Sequence, residues 1–359
     1  PPPPRSGGVA ARASASASSA AQQAALATAG SGMEAMLVTG DRGLRDRIQA
    51  DIDCVVMDCD GVVWAGDTLL PGVREAIAAL RWMGKRLVFV TNNSNKSRKA
   101  YVHKFAQLGI TVDKEEVFSA AFAAAAYIKT QRVNGGVMAN KKVYVVGGQG
   151  ILEELNEMFI EIDLGVFNAV RCDEADWEDL YVDEDVGAVI VGQDMSFTFA
   201  KLAYASLAIQ QGALFIATNP DAADLLGPGM MPGAGAIVAA VQTACGRAPD
   251  MFAGKPSAFL LELLRENHVD MARTLVVGDR MDTDIAFGKA GAAGITVLAL
   301  TGVSTMEDVA AAVEAGDPNT PDHIVPSLPH MLGIDPEAIR AYFEDAEREE
   351  AEEAGDPNT

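Results

Sequence analysis

Cysteine and histidine are scarce in this chain of 359 residues, with four of each. Cys54, Cys59, Cys172 and Cys245 show no CxxC spacing, so a disulfide scaffold is not indicated and a reducing compartment is the natural setting. His103, His268, His323 and His330 are scattered without metal-ligand spacing, which argues against a histidine zinc site. Basic residues are also in deficit: 28 against 50 acidic ones leave a formal charge of -22. Such a body repels nucleic acid and anionic membranes, so neither is an expected partner. A small anionic substrate is admissible where a pocket is locally basic or holds a cation. Long apolar runs are missing too, because the longest uncharged stretch, 225 to 246, is interrupted by Pro228, Pro232 and several glycines.

Residues 1–33 lack Asp and Glu altogether, are crowded with Ala and Ser, and carry only Arg5 and Arg12 as charges. That is the composition of an organelle transit peptide, so a leader is expected there and not part of a fold. At the other end, residues 336–359 include the run "YFEDAEREEAEEAGDPNT", expected as an acidic, solvated tail. The heptapeptide "EAGDPNT" at 314–320 returns at 353–359; it is too short for a structural repeat, and no physical account of it is evident.

What is present in quantity is alternation. Short apolar or β-branched runs, "CVVM" (54–57), "RLVFV" (86–90), "KVYVV" (142–146), "GAVIV" (187–191), "ALFIA" (213–217), "TLVVG" (274–278) and "ITVLAL" (295–300), are separated by segments of helical periodicity such as "PGVREAIAALRWMG". Strand and helix in alternation predict an α/β fold, a doubly wound, Rossmann-like parallel sheet with helices on both faces. "VVGGQG" (145–150) completes neither a GxGxxG nor a Walker pattern and reads as a tight turn.

Ligands of open parallel sheets sit beyond the carboxyl ends of the strands, so the residues just after each strand are the candidates. "CVVM" is followed by Asp58-Cys59-Asp60-Gly61, "RLVFV" by Thr91-Asn92-Asn93-Ser94, and "TLVVG" by Asp279 with Asp282 and Asp284 close behind. Gly254-Lys255-Pro256 precedes a helical pattern and can turn its lysine to the same edge. Clustered hard oxygens suit Mg²⁺. With a lysine, a hydroxyl and amide donors they form the set that phosphoryl transfer requires. An aspartate can serve as nucleophile, and a second one can protonate the leaving oxygen and then deprotonate water. Asp58 and Asp60, two apart on a chain leaving a strand, can both face such a site while Cys59 turns away, and Gly61 permits a tight departure.

"DCDGVVW", "VTNNS", "AGKPS" and "GDRMDTDI", in that order, resemble the four motifs of the haloacid dehalogenase superfamily of phosphatases, over roughly residues 48–335. The chain is most similar to the para-nitrophenyl-phosphatase-like branch, which includes the phosphoglycolate and pyridoxal phosphate phosphatases. The resemblance implies that Asp58 is nucleophile and metal ligand, and that Asp60 is acid/base and binds Mg²⁺ through its carbonyl. It also makes Asp279 the remaining protein ligand, Asp284 a supporting partner, and Thr91, Asn92, Asn93 and Lys255 the phosphate-binding residues. Members of this branch often dimerise through the cap, so a homodimer is a further implication.

Only 30 residues, 61–90, separate the first motif from Thr91, whereas 163, 92–254, separate Thr91 from Lys255. A βαβ unit takes about 30 residues, so the surplus predicts a second domain. The expected organisation is a phosphatase core at 48–127 and 236–335 with an α/β cap of the larger type inserted at 128–235. Within the cap, "GQDMSFTF" (192–199) and "TNPDAADLLGPG" (218–229) are the stretches expected to read the substrate. Ser196 stands where the pyridoxal-phosphate enzymes carry a histidine, which weighs against that vitamin as substrate. The expectation is therefore a Mg²⁺-dependent phosphomonoesterase acting through an aspartyl-phosphate, on 2-phosphoglycolate in a chloroplast stroma. A phospho-aspartate receiver domain shares much of the chemistry, but it needs neither Asp60 nor an inserted domain.

Overall fold

The computed structural model describes residues 42–133, 136–165, 180–226 and 229–336. The expected leader at 1–33, the acidic tail from 337 on, Cys172 and the second "EAGDPNT" lie outside the described residues.

Eleven strands build two larger sheets: β1 (Cys54–Met57), β2 (Arg86–Thr91), β3 (Val117–Ser119), β4 (Lys142–Val146), β5 (Ile162–Asp163), β6 (Val186–Val191), β7 (Leu214–Ala217), β8 (Met251–Phe252), β9 (Thr274–Gly278), β10 (Ile295–Ala299) and β11 (His323–Val325). The first sheet runs β11-β10-β9-β1-β2-β3 and the second β8-β7-β6-β4-β5, with all larger-sheet pairings parallel. The α/β, parallel-sheet expectation therefore holds. β8 lies beyond residue 235, where sequence pattern had ended the second unit; it pairs Met251 with Ile216 and Phe252 with Ala217.

Each apolar strand run is buried because both faces of its sheet are covered. Val55 and Met57 enter one apolar cluster with Leu87, Phe89, Leu275 and Val277, while Cys54 and Val56 point the other way with Val88, Val90 and Val276. This is the period-two consequence of a pleated strand. The second of these clusters does not stop at the first sheet. It continues through the helices Ala120–Arg132 and Ala258–Glu266 to Val143, Val145, Ala188, Ile190 and Ile216 of the second sheet. Alanines dominate the buried face of the first of those helices, and Tyr127 meets Phe259 edge-on with ring centroids 5.1 Å apart. The two sheets are thus joined by a shared apolar interior. Full burial of a large apolar side chain contributes roughly 1.5–3 kcal/mol, so this seam stabilises the junction substantially.

β1 sits between β9 and β2, the point at which chain order reverses in the first sheet. A crevice opens there beyond the carboxyl ends of the strands.

Candidate active site

Asp58 is the first residue past β1, and its N–H donates to the Val277 carbonyl at 2.9 Å, which carries the ladder one step beyond the strand. The side chain is 8% exposed and lines a cavity of about 190 Å³. Cys59 turns into the apolar core, so residues 58 and 60 both face the cavity. The Asp60 carboxylate Oδ1 accepts a hydrogen bond from Trp64 Nε1 at 2.8 Å. Trp64 is itself fully buried, with the Lys104 ammonium 4.1 Å from its ring centroid, so Asp60 is held by a rigid donor.

Gly61 has φ +87, and a Cβ there would lie 2.6 Å from Asp279 Oδ2. Only glycine satisfies both the left-handed backbone and the close approach. Asp279 leaves β9 in the same way that Asp58 leaves β1, and its Oδ2 accepts the Val303 N–H at 2.8 Å. A single π-helical turn, Met281–Ile285, then brings Asp284 back under Asp279. Such one-turn departures from α geometry are frequent at functional sites. Asp284 Oδ2 accepts the Arg280 N–H at 3.1 Å. Ligand oxygens of Asp58, Asp279 and Asp284 lie within 4.8 Å of one another.

Lys255 reaches this cluster from the other sheet, three residues past β8, and is 2% exposed. Its ammonium donates to Asp58 Oδ1, to Asp284 Oδ1 at 2.6 Å and to the Val90 carbonyl at 2.8 Å. An ammonium has three N–H donors, so all are engaged. Three ionised carboxylates against one ammonium would leave two uncompensated negative charges in a buried space, which is costly. The proton affinities record that cost. Burial, aided by Asp284 and Asp279 and opposed by Lys255, pushes the Asp58 carboxyl well above its ordinary range. Burial and then the Asp284 charge raise Asp279 to about 7. Burial disfavours the charged form of Lys255, but Asp284 and Asp58 outweigh it and raise its proton affinity. A hard divalent cation among Asp58, Asp279 and Asp284 would cancel the surplus charge without protons, so the donor set fits Mg²⁺.

Thr91, the last residue of β2, is buried and its Oγ1 accepts the Asn93 N–H at 3.1 Å. Asn93 lines the cavity, and its Oδ1 accepts the Asn95 N–H at 2.9 Å. Asn92 also lines it, yet its side chain is spent on protein: Oδ1 accepts the Lys255 N–H at 2.7 Å, and Nδ2 donates to the Lys255 carbonyl at 3.2 Å and to Asp221 Oδ2 at 3.1 Å.

The cavity thus brings together Asp58, Asp60, Thr91, Asn92, Asn93, Lys255, Asp279 and Asp284. It is also lined by Ser94, which closes the strand-end stretch after β2, and by Gln193, Asn219, Asp221 and Arg280, which that inspection does not single out. Gln193 follows β6, and Asn219 and Asp221 follow β7, so the same inspection applied to the second sheet would have found them. Of the stretch 192–199, Gln193 alone lines the cavity; Ser196 is exposed, and its N–H donates to Asp194 Oδ1 at 2.8 Å.

A family model described as haloacid dehalogenase-like hydrolase matches residues 55–161, and a second, HAD-hydrolase-like one matches 252–331. The chain is 39% identical over 296 residues to phosphoglycolate phosphatase 2 of Arabidopsis thaliana, covering 79% of this chain and 93% of that one. It belongs to the haloacid dehalogenase-like hydrolases. A further Arabidopsis thaliana relative, phosphoglycolate phosphatase 1A, chloroplastic, is 43% identical over 266 residues, 73% of this chain and 72% of its own. Among solved structures, glycerol phosphate phosphatase from Mycobacterium tuberculosis in complex with magnesium superposes with a TM-score of 0.65 at 30% identity, covering 79% of this chain and 77% of that one. These relatives are phosphatases, and this haloacid dehalogenase-like chain is a phosphoric monoester hydrolase of the same class. The two matched segments flank the second sheet's later strands, β6 and β7, which lie in the unmatched interval between them.

Proposed function

We propose that this protein hydrolyses a small phosphate monoester, 2-phosphoglycolate, to glycolate and inorganic phosphate. The observation that carries the reading is the Lys255 ammonium, buried between Asp58 and Asp284 at the end of β1 with Asp279 beside them. Asp58 would attack phosphorus, forming an aspartyl-phosphate while the P–O ester bond breaks and Asp60 gives its proton to the departing oxygen. Asp60 then takes a proton from water as that water attacks the aspartyl-phosphate, which releases phosphate and restores Asp58. Because all three Lys255 donors are engaged, an arriving phosphate oxygen takes the place of Asp58 on the ammonium and frees the carboxylate to attack. Mg²⁺ held by Asp58, Asp279 and the Asp60 carbonyl, with Asp284 alongside, would neutralise the phosphate oxygens. The unit carrying the second sheet, inserted after the helix Ala120–Arg132, serves as the cap that closes over the leaving group and excludes water.

Substrate size follows from the cavity, whose 190 Å³ lies below the roughly 300–1,000 Å³ of pockets for drug-sized ligands. A two- or three-carbon leaving group is the natural occupant. The glycolate assignment is supported by the two phosphoglycolate phosphatases among the relatives. The composition of residues 1–33 and the chloroplastic relative support a plastid location, where photorespiration generates that substrate. A glycerol phosphate is the second reading, favoured by Asp221, whose Oδ1 is a buried acceptor without a partner among the described residues and suits a substrate hydroxyl. The test is a kinetic panel of purified protein with Mg²⁺ on 2-phosphoglycolate, glycerol 3-phosphate, pyridoxal phosphate and p-nitrophenyl phosphate. The highest kcat/KM is expected on 2-phosphoglycolate; no release from it while another ester is cleaved efficiently sinks the assignment.

A further inference from the structure

Two chain segments that are distant in sequence close around Asn92. From the Lys255 loop, the backbone N–H and carbonyl of Lys255 take both ends of the Asn92 amide, at 2.7 and 3.2 Å. From the segment after β7, Asp221 Oδ2 accepts the Asn92 amide N–H at 3.1 Å, and Asn219 Nδ2 donates to the Asn92 carbonyl at 2.7 Å. Asn219 and Asp221 are themselves locked together, since Asn219 Oδ1 accepts the Asp221 N–H at 3.0 Å. The packing leaves no slack: a Cβ on Gly254, next to Lys255, would lie 2.4 Å from Asn92 Oδ1, and the Gly254 N–H donates to the Thr218 carbonyl at 2.7 Å.

Asp221 is an expensive residue to place here. It is 8% exposed, its Oδ1 has no hydrogen-bond partner among the described residues, and burial pushes its carboxyl above the ordinary range. A buried acceptor left unmade is among the costlier defects a fold can carry. An apolar side chain would avoid the penalty, but it would leave the Asn92 amide without an acceptor from the second sheet and free to rotate off the Lys255 backbone.

We infer that Asp221, braced by Asn219, is a positioning residue for the phosphatase reaction: by orienting the Asn92 amide it sets the Lys255 backbone, and with it the ammonium between Asp58 and Asp284. The second sheet then does more than cover the substrate. It supplies the brace that fixes the one buried cation of the charged cluster, whatever the leaving group. This role rests on the phosphatase reading above and adds a residue to it.

The experiment compares D221A, D221N and wild type at saturating Mg²⁺ on two esters with unlike leaving groups, 2-phosphoglycolate and p-nitrophenyl phosphate. Displacing a catalytic group by about 1 Å costs on the order of 100-fold, so D221A should lose kcat by about that factor on both esters alike, with KM little changed. D221N keeps an oxygen acceptor toward Asn92 and should recover to within about tenfold of wild type. Should D221A fail to fold, N219A removes the brace from the Asn92 carbonyl and should likewise lower kcat on both esters by one factor. A D221A enzyme with unaltered kcat, a D221N enzyme as impaired as D221A, or a loss confined to one ester overturns the role, the last by making Asp221 a reader of the leaving group. An inactive wild type overturns the phosphatase function itself; an active wild type beside an indifferent D221A overturns only the positioning.

Discussion

The two sheets contribute opposite halves of one chemistry. The first presents acceptors at its carboxyl edge: Asp58 after β1 and Asp279 after β9, with Asp284 one π-turn further on. The second presents the buried ammonium of Lys255 after β8, and the amides of Gln193 after β6 and Asn219 after β7. Neither edge is complete alone. The carboxylates without Lys255 form a buried cluster of like charges, and Lys255 without them is a buried cation with only the Val90 carbonyl for company. The difference teaches that the site is the product of docking the two edges, and that the apolar seam shared by both sheets holds those edges together.

Breaking the acceptor edge has the largest effect. D58N removes the proposed nucleophile while keeping the side chain's shape, and turnover should fall by at least about 10⁴-fold with the circular dichroism spectrum and thermal transition retained. Activity persisting in that variant would mean a different group attacks phosphorus.

Breaking the donor edge comes next. K255M leaves Asp58 and Asp284 buried without their counter-charge, so the metal-free protein should lose roughly 3–5 kcal/mol of stability in urea titrations. Added Mg²⁺ should restore part of the loss, because a cation held by the same carboxylates replaces the missing charge. A variant as stable as wild type would show that the two edges are not electrostatically dependent.

The smallest effect sharpens the comparison by titrating one edge only. Asp279 binds its proton up to about pH 7, and a cation requires the ionised form. Asp58, whose proton affinity is raised as well, competes in the same way, so the affinity for Mg²⁺ should rise with pH as both carboxyls lose their protons. Below about pH 7, each unit of acidification should weaken binding about tenfold per displaced proton, with proton release on binding visible by calorimetry in buffers of different ionisation heat. An affinity independent of pH between 5.5 and 8 would show that Asp279 is not a ligand.

Legibility of the fold in the sequence divides by strand length. Runs of four or more apolar residues, such as those of β1, β4, β6 and β9, announce themselves because burial on both faces demands continuous hydrophobicity. β3, β5, β8 and β11, with two or three residues each, are strands because a neighbour pairs with them, and nothing local distinguishes them from loops. The site divides the same way. Asp58, Thr91 and Asp279 stand directly at the ends of long runs, whereas the bracing role of Asp221 depends on Asn92, 129 residues away in the chain. Trp64 lies within the first motif, but its contact with Asp60 depends on a chain reversal after Gly61 that composition alone does not reveal.

Lys255 stands only three residues beyond the pairing of Phe252 with Ala217, and Gly254 is still tied to Thr218. Any rotation of the second sheet wide enough to enlarge the cavity mouth would therefore drag the lysine's main chain along with it. On the mechanism proposed above, opening the enzyme and disarming it would be a single mechanical event, and a phosphorylated Asp58 would meet bulk water only after the Lys255 ammonium had been withdrawn.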